Sequence, residues 1–196
     1  MKKVISVILF LIALNCNAQR GNFFMWQNTI PVTCPSIGDS YGGGIVAYIL
    51  QSGDPGYVSG QCHGLIAASS DQSSGTTWDT GWRHNVSTST DIGQGYANSL
   101  NIVSASGVDT TYAALTCRDL TIGGYTDWFL PSQYELQKIY FYKSIIGGFT
   151  VNGHYWSSYQ DTYDVPNRAI FIDFTNGGSA SNYKSTICRV RAIRSF

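Results

Sequence analysis

The stretch GGYTDWFLPSQYELQKIY, residues 123–140, constrains the fold most strongly because it contains a complete helix start. Ser132 and Glu135 form the motif S-x-x-E, in which each side chain accepts a hydrogen bond from the backbone N–H of the other residue. We predict a helix from Ser132 to about Ile146 that ends at Gly147-Gly148. Its buried face is expected to consist of Leu136, Ile139, Tyr140 and Ile146.

Glu135 is the only glutamate of the chain, which suggests a second interpretation of this residue as a general acid. The capping geometry explains Glu135 without any chemistry, and we favour the cap. The stretch is therefore predicted to be scaffold rather than the wall of an active site.

The composition predicts one compact, turn-rich domain of an extracellular type. The chain has 196 residues, of which 21 are glycine, 14% are aromatic and 12% are charged, a balance that argues against disorder. The formal net charge is zero, and no basic cluster is denser than the spaced Arg189, Arg191 and Arg194. We therefore expect no nucleic-acid partner.

Residues 1–18 have the pattern of a secretory signal peptide. Lys2 and Lys3 precede an apolar run that is too short to span a bilayer comfortably, and Ala18 stands at a cleavage position. Acylation of Cys16 is the alternative, but Asn15 before it fits that processing poorly. We expect an exported protein that is extracellular, on the cell surface or periplasmic, with no transmembrane segment after cleavage. Its charge would be −2, from 10 Lys+Arg (12 minus the two leader lysines) against 12 Asp+Glu.

Export favours disulfides for the four remaining cysteines, Cys34, Cys62, Cys117 and Cys188, since no two of them have the C-x-x-C spacing of a zinc site. Four cysteines allow three connectivities, and the sequence does not choose among them. We favour Cys34–Cys62, which would fasten the N-terminal segment, and Cys117–Cys188, which would fasten a helix to the last strand. A second interpretation is that Cys62 is a nucleophile assisted by the adjacent His63, but adjacent residues of a strand point to opposite faces of the sheet.

Hydrophobic patterning predicts an α+β order with a β-rich C-terminal third. Two further helices are expected at 93–106, stopped by Gly107, and at 109–120, begun by an Asp109 cap and with Cys117 on the buried face. The first two strands should form a hairpin, and the last strand should contain a bulge. The predicted strands are 45–50, 63–69, 154–159, 168–174 and 186–194.

Five separated motifs occur in a fixed order along the chain. They are IGDSYGGGIVAYI (37–49), HGLIAASSDQSSGTTW (63–78), GYTDWFLPSQYEL (124–136), YWSS (155–158) and RVRAIRSF (189–196). This order resembles the C-terminal domain family of the Lcl-type bacterial adhesins. The resemblance covers residues 37–196 and leaves 19–36 as an N-terminal extension. It implies a C-type-lectin-like fold, with two or three helices flanking a small twisted antiparallel sheet and ligands bound by loops at one end. Some relatives are adhesins for sulfated glycans.

The segment DVPN, residues 164–167, departs from the calcium-dependent pattern of lectins. Val165 stands where that pattern has an acidic or amide ligand, and IDF replaces its Trp-Asn-Asp strand. Calcium requires six to eight oxygen ligands. We therefore predict no calcium-bridged sugar, no metal and no cofactor. The chain also lacks the paired reactive cysteines of the formylglycine-generating branch of this broad fold.

Loop composition favours a module that binds a glycan or a cell-surface protein. Tyrosine offers a large rigid contact area, and Ser, Gly and Asn offer adaptable hydrogen bonding, although the same residues also make ordinary turns. Trp128 and Trp156 are expected in the core, whereas Trp78 and Trp82 lie on the long loop 70–91. The candidate ligand-binding residues are Trp78, Trp82, Tyr155, Tyr159, Tyr163, Asn167, Asn176, Asn182 and Tyr183.

Two other classes of function compete with recognition. A structural cell-surface or appendage subunit would bury the same tyrosines in a homotypic interface. A carboxylate-dependent hydrolase would draw on Asp127, Asp161, Asp164, Asp173, His84 and His154. No nucleophile elbow, zincin motif or phosphate loop occurs in the sequence, so we expect that the protein is not an enzyme.

Overall fold

Two β-sheets and four helices make up residues 33–81 and 84–196, which are the residues that the computed structural model describes. The predicted signal peptide lies outside them. The helices are α1 (Gly95–Ser106), α2 (Ala113–Arg118), α3 (Gln133–Phe141) and α4 (Lys143–Ile146). The strands are β1 (Ser40–Tyr41), β2 (Gly44–Ile49), β3 (Gly64–Ala67), β4 (Ser73–Thr76), β5 (His154–Gln160), β6 (Arg168–Asp173), β7 (Ser179–Tyr183), β8 (Cys188–Val190) and β9 (Ile193–Ser195).

The first sheet has the strand order β1-β2-β3-β9, and the second has the order β4-β8-β5-β6-β7. Neighbouring strands are antiparallel, except that β5 and β8 run parallel. The hairpin predicted from the first two apolar runs is present as β2 and β3. The α+β class is thus confirmed.

The predicted last strand, 186–194, is two strands in different sheets. Strand β8 pairs with β4 and β5, and β9 pairs with β3. Arg191 lies between them and is fully buried, and its guanidinium donates to Asp71 Oδ1 at 2.7 and 2.9 Å and to Ala68 O at 2.9 Å. This buried ion pair occupies the point at which the chain passes between sheets, which explains why the alternation of side chains is interrupted there.

Three strands lie outside the strands predicted from the sequence: the two-residue β1, β4 and β7. Strand β4 is made of Ser, Gly and Thr, and β7 has the sequence SASNY. They are the two outer strands of the second sheet, so each pairs along one side only. Neither segment has an apolar alternation, and their pairing depends on the neighbouring strand rather than on their own composition.

The capping box at the start of α3 is confirmed. Glu135 N–H donates to Ser132 Oγ at 3.3 Å, and Ser132 N–H donates to Glu135 Oε2 at 2.7 Å. The predicted single helix is interrupted at Tyr142, where α3 ends and α4 begins, and Gly147 ends α4.

Helix α2 begins later than predicted, and the Asp109 cap is wrong. The helix starts after Tyr112, whose ring is fully buried and whose hydroxyl donates to Gly107 O at 2.6 Å. The extended backbone at Tyr112 (φ −150°, ψ 175°) inserts this ring into the core. Burial of the aromatic ring thus sets the start of the helix.

Within the part of the chain that the structure describes, one disulfide is present rather than two. Cys34 and Cys62 are bonded, as predicted, and the bond fastens residue 34 to the segment between β2 and β3. The prediction of a Cys117–Cys188 disulfide is wrong, because both thiols are free. They belong to one hydrophobic cluster that also contains the buried Trp128. Burial raises the pKa of both thiols, that of Cys188 to about 12, so the two cysteines serve the core as small apolar side chains.

Candidate functional site

A polar concavity of about 520 Å³ lies at the end of the second sheet where β6 begins and β7 ends. Three connections meet there: the loop from β5 to β6, the turn after β7, and the loop that follows β4. We call this concavity the loop site. Its lining consists of Gly81, Asp164, Pro166, Asn167, Tyr183, Lys184 and Ser185.

The β5–β6 loop is held by hydrogen bonds within itself. Asn167 donates from its backbone N–H to Asp164 O at 2.9 Å and from Nδ2 to Asp164 Oδ1 at 2.8 Å. Asp161 Oδ1 accepts from Tyr163 N–H at 2.8 Å. Lys184 N–H donates to Asn167 O at 2.9 Å and joins the loop to the turn after β7. These hydrogen bonds fix the shape of the β5–β6 loop, which forms the wall of the loop site, without a packed apolar interior.

Beneath this wall, the ammonium group of Lys184 forms the floor of the site. Its side chain is 3% exposed, and Nζ donates to His84 O at 2.6 Å and to Gln160 Oε1 at 2.7 Å. Nζ also lies 3.5 Å from Asp79 Oδ2 and 4.4 Å from the centre of the Trp78 ring. Burial lowers the pKa of Lys184, and the charge of Asp79 opposes that change. This ion pair is shielded from water and therefore from salt.

Among the described residues, Thr80 Oγ1 and Asn167 Oδ1 are buried without a hydrogen-bond partner, and Asp79 Oδ2 has only its ion pair with Lys184 at 3.5 Å. Asp79 itself is fully buried, and its other oxygen accepts from Gly81 N–H at 2.8 Å. The orientation of the Asn167 amide follows from its bond to Asp164, because the opposite orientation would place two oxygens together. An unpartnered buried oxygen costs about 1–3 kcal/mol, so this end of the sheet is not optimised for stability alone.

Two exposed tyrosines belong to the segments that form the loop site: Tyr183 lines it, and Tyr163 directly precedes the lining residue Asp164. The side chain of Tyr163 is 99% exposed and that of Tyr183 is 55% exposed. The guanidinium of Arg168 lies 4.6 Å from the centre of the Tyr183 ring, and it donates to Ser181 O at 2.7 Å and to Ser181 Oγ at 3.0 Å. Arg168 thus holds the ring of Tyr183 in place, whereas Tyr163 is held through its backbone N–H.

The structure brings four of the predicted ligand-binding residues to this end of the second sheet. Asn167 and Tyr183 line the loop site, and Tyr163 directly precedes the lining residue Asp164 in the chain. Asn182 lies just behind them, where its Oδ1 accepts from Tyr183 N–H at 2.9 Å and from Thr186 Oγ1 at 3.0 Å. The side chain of Asn182 thus stabilises the turn that follows β7.

Three other predicted residues lie away from the loop site. Asn176 is in the turn between β6 and β7, at the opposite end of a strand that is about 17 Å long. Tyr155 is fully buried, where its hydroxyl donates to Asp71 Oδ2 at 2.9 Å. Tyr159 is half-buried on β5.

Of the two loop tryptophans, Trp78 has a described position and Trp82 does not. Trp78 is fully buried, and its indole Nε1 donates to Ser157 O at 2.7 Å, so the ring is part of the core rather than open to a ligand. Trp82 lies outside the described residues. Trp128 and Trp156 are buried, as predicted.

Lys184 and Asp79 are the main residues of the site that sequence reasoning did not single out. Nothing local distinguishes Lys184 within the polar run SNYKS from a solvated surface lysine. Its burial depends on Gln160 and His84, which are distant in sequence.

Among the described residues, no three His, Cys, Asp or Glu side chains are grouped as ligands for a metal ion. Within the same residues, no helix is both long and apolar enough to cross a membrane.

The domain thus has an α+β fold with two sheets, and the loops at one end of the second sheet form the loop site. The family model of the Lcl C-terminal domain matches residues 67–194. The chain therefore belongs to the Lcl C-terminal domain family, and the matched region contains every residue that lines the loop site. No curated protein matches the chain.

Proposed function

We propose that this chain is an exported, adhesin-like recognition module with a C-type-lectin-like fold that binds a glycan or a protein ligand at the loop site. The observation that carries the proposal is Tyr163, whose side chain is 99% exposed and which directly precedes Asp164, a lining residue of the polar concavity of about 520 Å³. A side chain this exposed contributes almost nothing to folding. Tyrosine is instead a favourable contact residue, because it offers a large area at a small cost in conformational entropy.

The construction of the site supports binding rather than catalysis. Its only buried ammonium group, among the described residues that line it, is engaged by three oxygens, and its wall is fixed by hydrogen bonds within the loop. A preformed wall lowers the entropy that is lost when a ligand is ordered. Ligand-binding residues are also commonly found on loops that a rigid sheet positions.

A glycan-array screen of the purified, oxidised protein, with and without a calcium chelator, tests the proposal. We expect binding to a defined glycan class, or to a cell-surface protein in a parallel capture experiment, that persists in the chelator. Tyr163→Ala should weaken that binding at least fivefold without changing thermal stability. Tyr57→Ala is the matched control, since Tyr57 is also exposed (39%) but lies in the loop between β2 and β3. Equal effects of the two substitutions would exclude the loop site as the binding surface.

A second surface favours the alternative of a structural cell-surface or appendage subunit. Helix α3 borders a more apolar concavity of about 510 Å³, in which Phe141 is 76% exposed and Tyr134 is 43% exposed. Ile145 on α4 is also exposed, at 57%. Neighbouring exposed apolar side chains are typical of protein interfaces. A mass that rises with protein concentration, and stays constant in Phe141→Ser, would support this alternative.

A further inference from the structure

The Cys34–Cys62 disulfide lies at the surface of the domain. Cys34 is exposed and Cys62 is half-buried, in contrast to Cys117 and Cys188, which are buried thiols of the core. Thiol–disulfide exchange requires that a thiolate reach one of the two sulfurs, and exposed disulfides are the ones that exchange readily. The position of this bond therefore makes it available for exchange in the folded protein.

Both cysteines line a concavity of about 660 Å³, together with Tyr41, His63 and Phe196. We call this concavity the disulfide cleft. Its volume lies within the range of about 300–1,000 Å³ that small-molecule sites occupy. The rings of Tyr41 and Phe196 meet edge to face at 5.2 Å and give the cleft an apolar side. The cleft thus has room for a small thiol directly beside the disulfide.

His63 supplies an acid–base group to the same cleft. Cys62 and His63 both precede β3, so the alternation of a strand does not separate them, and both line the cleft. The Nδ1 atom of His63 lies 3.2 Å from Phe196 O, which can only accept, so the hydrogen is placed on Nδ1. Nε2 lies 2.8 Å from the exposed Gln61 side chain and is therefore the nitrogen that gains or loses a proton. A protonated imidazole stabilises a nearby thiolate.

Opening the disulfide leaves the rest of the fold in place. Gly38 N–H donates to Val46 O and Val46 N–H donates to Asp39 O, both at 2.9 Å, so the segment after Cys34 stays attached to β2. Residues 55–61, which precede Cys62, are all exposed. Neither bonded cysteine belongs to the two hydrophobic clusters of the core. Exchange at this bond therefore does not require unfolding.

We propose that the Cys34–Cys62 disulfide is a reversible exchange site for a low-molecular-weight thiol. The thiol transfers its proton to His63 Nε2, and its sulfur attacks Sγ of Cys34, the more exposed of the two cysteines. A bond forms between the ligand sulfur and Cys34, the Cys34–Cys62 bond breaks, and its electron pair leaves with Cys62 as a thiolate. One disulfide replaces another, so no further oxidant or reductant is needed. Attack of the Cys62 thiolate on the mixed disulfide reverses the reaction.

This activity is independent of the proposed function, because the disulfide cleft and the loop site share no lining residue among those that the structure describes.

Reaction of the intact, oxidised protein with excess reduced glutathione tests the proposal. Samples are quenched with N-ethylmaleimide, which caps released thiols, and are analysed by intact mass and peptide mapping. At early times we expect glutathione on Cys34 and the cap on Cys62, at a rate within about tenfold of that of the urea-unfolded protein. Tryptophan fluorescence, recorded in parallel, should stay native because Trp78, Trp128 and Trp156 are buried in the core.

His63→Asn is expected to slow the exchange about threefold, because the leaving Cys62 thiolate loses its imidazole neighbour. His154→Asn is the matched control and should react at the wild-type rate, since His154 is also exposed but lies on β5. Equal rates in these two variants would overturn the role of His63. Exchange that begins only after the native fluorescence is lost, or glutathione found on Cys62 with the cap on Cys34, would overturn the proposal.

Discussion

The carboxylate of Glu135 accepts a hydrogen bond from the backbone N–H of Gly93, 42 residues away in the chain, at 2.8 Å. The same carboxylate caps α3 through Ser132 N–H, so one fully buried side chain fixes the start of α3 and the approach to α1. A Cβ atom at Gly95, the first residue of α1, would collide with this carboxylate. Glycine is therefore required at that position by close packing.

Glu135→Ala is expected to destabilise the protein, because it leaves the buried N–H of Ser132 without an acceptor and also removes the hydrogen bond to the N–H of the exposed Gly93. The orphaned buried group alone costs about 1–3 kcal/mol. Glu135→Gln retains one carbonyl acceptor and should lose less. Urea unfolding measures both changes. Wild-type stability in Glu135→Ala would contradict the capping role and reopen the interpretation of Glu135 as a general acid.

Trp78→Ala is expected to cost about 3–5 kcal/mol, the range for deletion of a fully buried aromatic side chain. Trp128→Ala should cost a similar amount, since both rings are buried in the same cluster. Tyr163→Ala should remain within about 0.5 kcal/mol of the wild type, because nothing packs on an almost fully exposed ring. Thermal unfolding of the three variants checks this contrast. A small effect of Trp78→Ala would return that residue to the list of ligand contacts.

Loss of the Cys34–Cys62 disulfide should destabilise the protein by roughly 2–4 kcal/mol in a paired Cys34→Ser/Cys62→Ser variant. Cys117 and Cys188 should react with a thiol reagent only after unfolding, because both are buried. Peptide mapping after labelling under native and denaturing conditions tests this statement. A peptide that contains Cys117 linked to Cys188 would show that the core is oxidised after all.

The stabilising contact between Asp127 and Arg194 should depend on pH. Arg194 donates to both carboxylate oxygens, at 2.7 and 2.8 Å, and these hydrogen bonds lower the pKa of Asp127. The unfolded-state pKa is about 4, so the contribution is complete above that pH and is lost as pH falls through the folded-state pKa. A double-mutant cycle with Asp127→Asn and Arg194→Gln should give a coupling of about 0.5–1 kcal/mol at pH 7 that shrinks toward pH 2. A coupling that grows as the pH falls would reverse this assignment.

Local signals in the sequence were sufficient for much of the scaffold. The capping box at Ser132, the Gly107 stop of α1 and the hairpin of β2 and β3 each depend on residues close together in the chain. The burial of Trp128 and Trp156 was also predictable, because large aromatic side chains in apolar segments are seldom exposed.

The loop site was predictable only as a set of candidate residues. Of the candidate ligand-binding residues, Asn167 and Tyr183 line the loop site and Tyr163 directly precedes the lining residue Asp164, while their role in binding stays a prediction. Which of the tyrosines face solvent was not predictable, because Tyr155 and Tyr163 lie in equally polar sequence but differ completely in burial. Their difference depends on Asp71, which accepts the buried hydroxyl of Tyr155 from a distant segment.

The sequence by itself thus determined the α+β class and the capping box at the start of α3, but it left the pairing of the four cysteines open. Only the tertiary structure decided that the last apolar run is divided between two sheets, that Cys117 and Cys188 stay reduced, and that Lys184 is buried. The physical reason is the range of the interactions involved. Caps and turns are formed by residues within about one helical turn of each other, whereas a buried lysine or an outer strand is stabilised by partners that only the folded chain brings near.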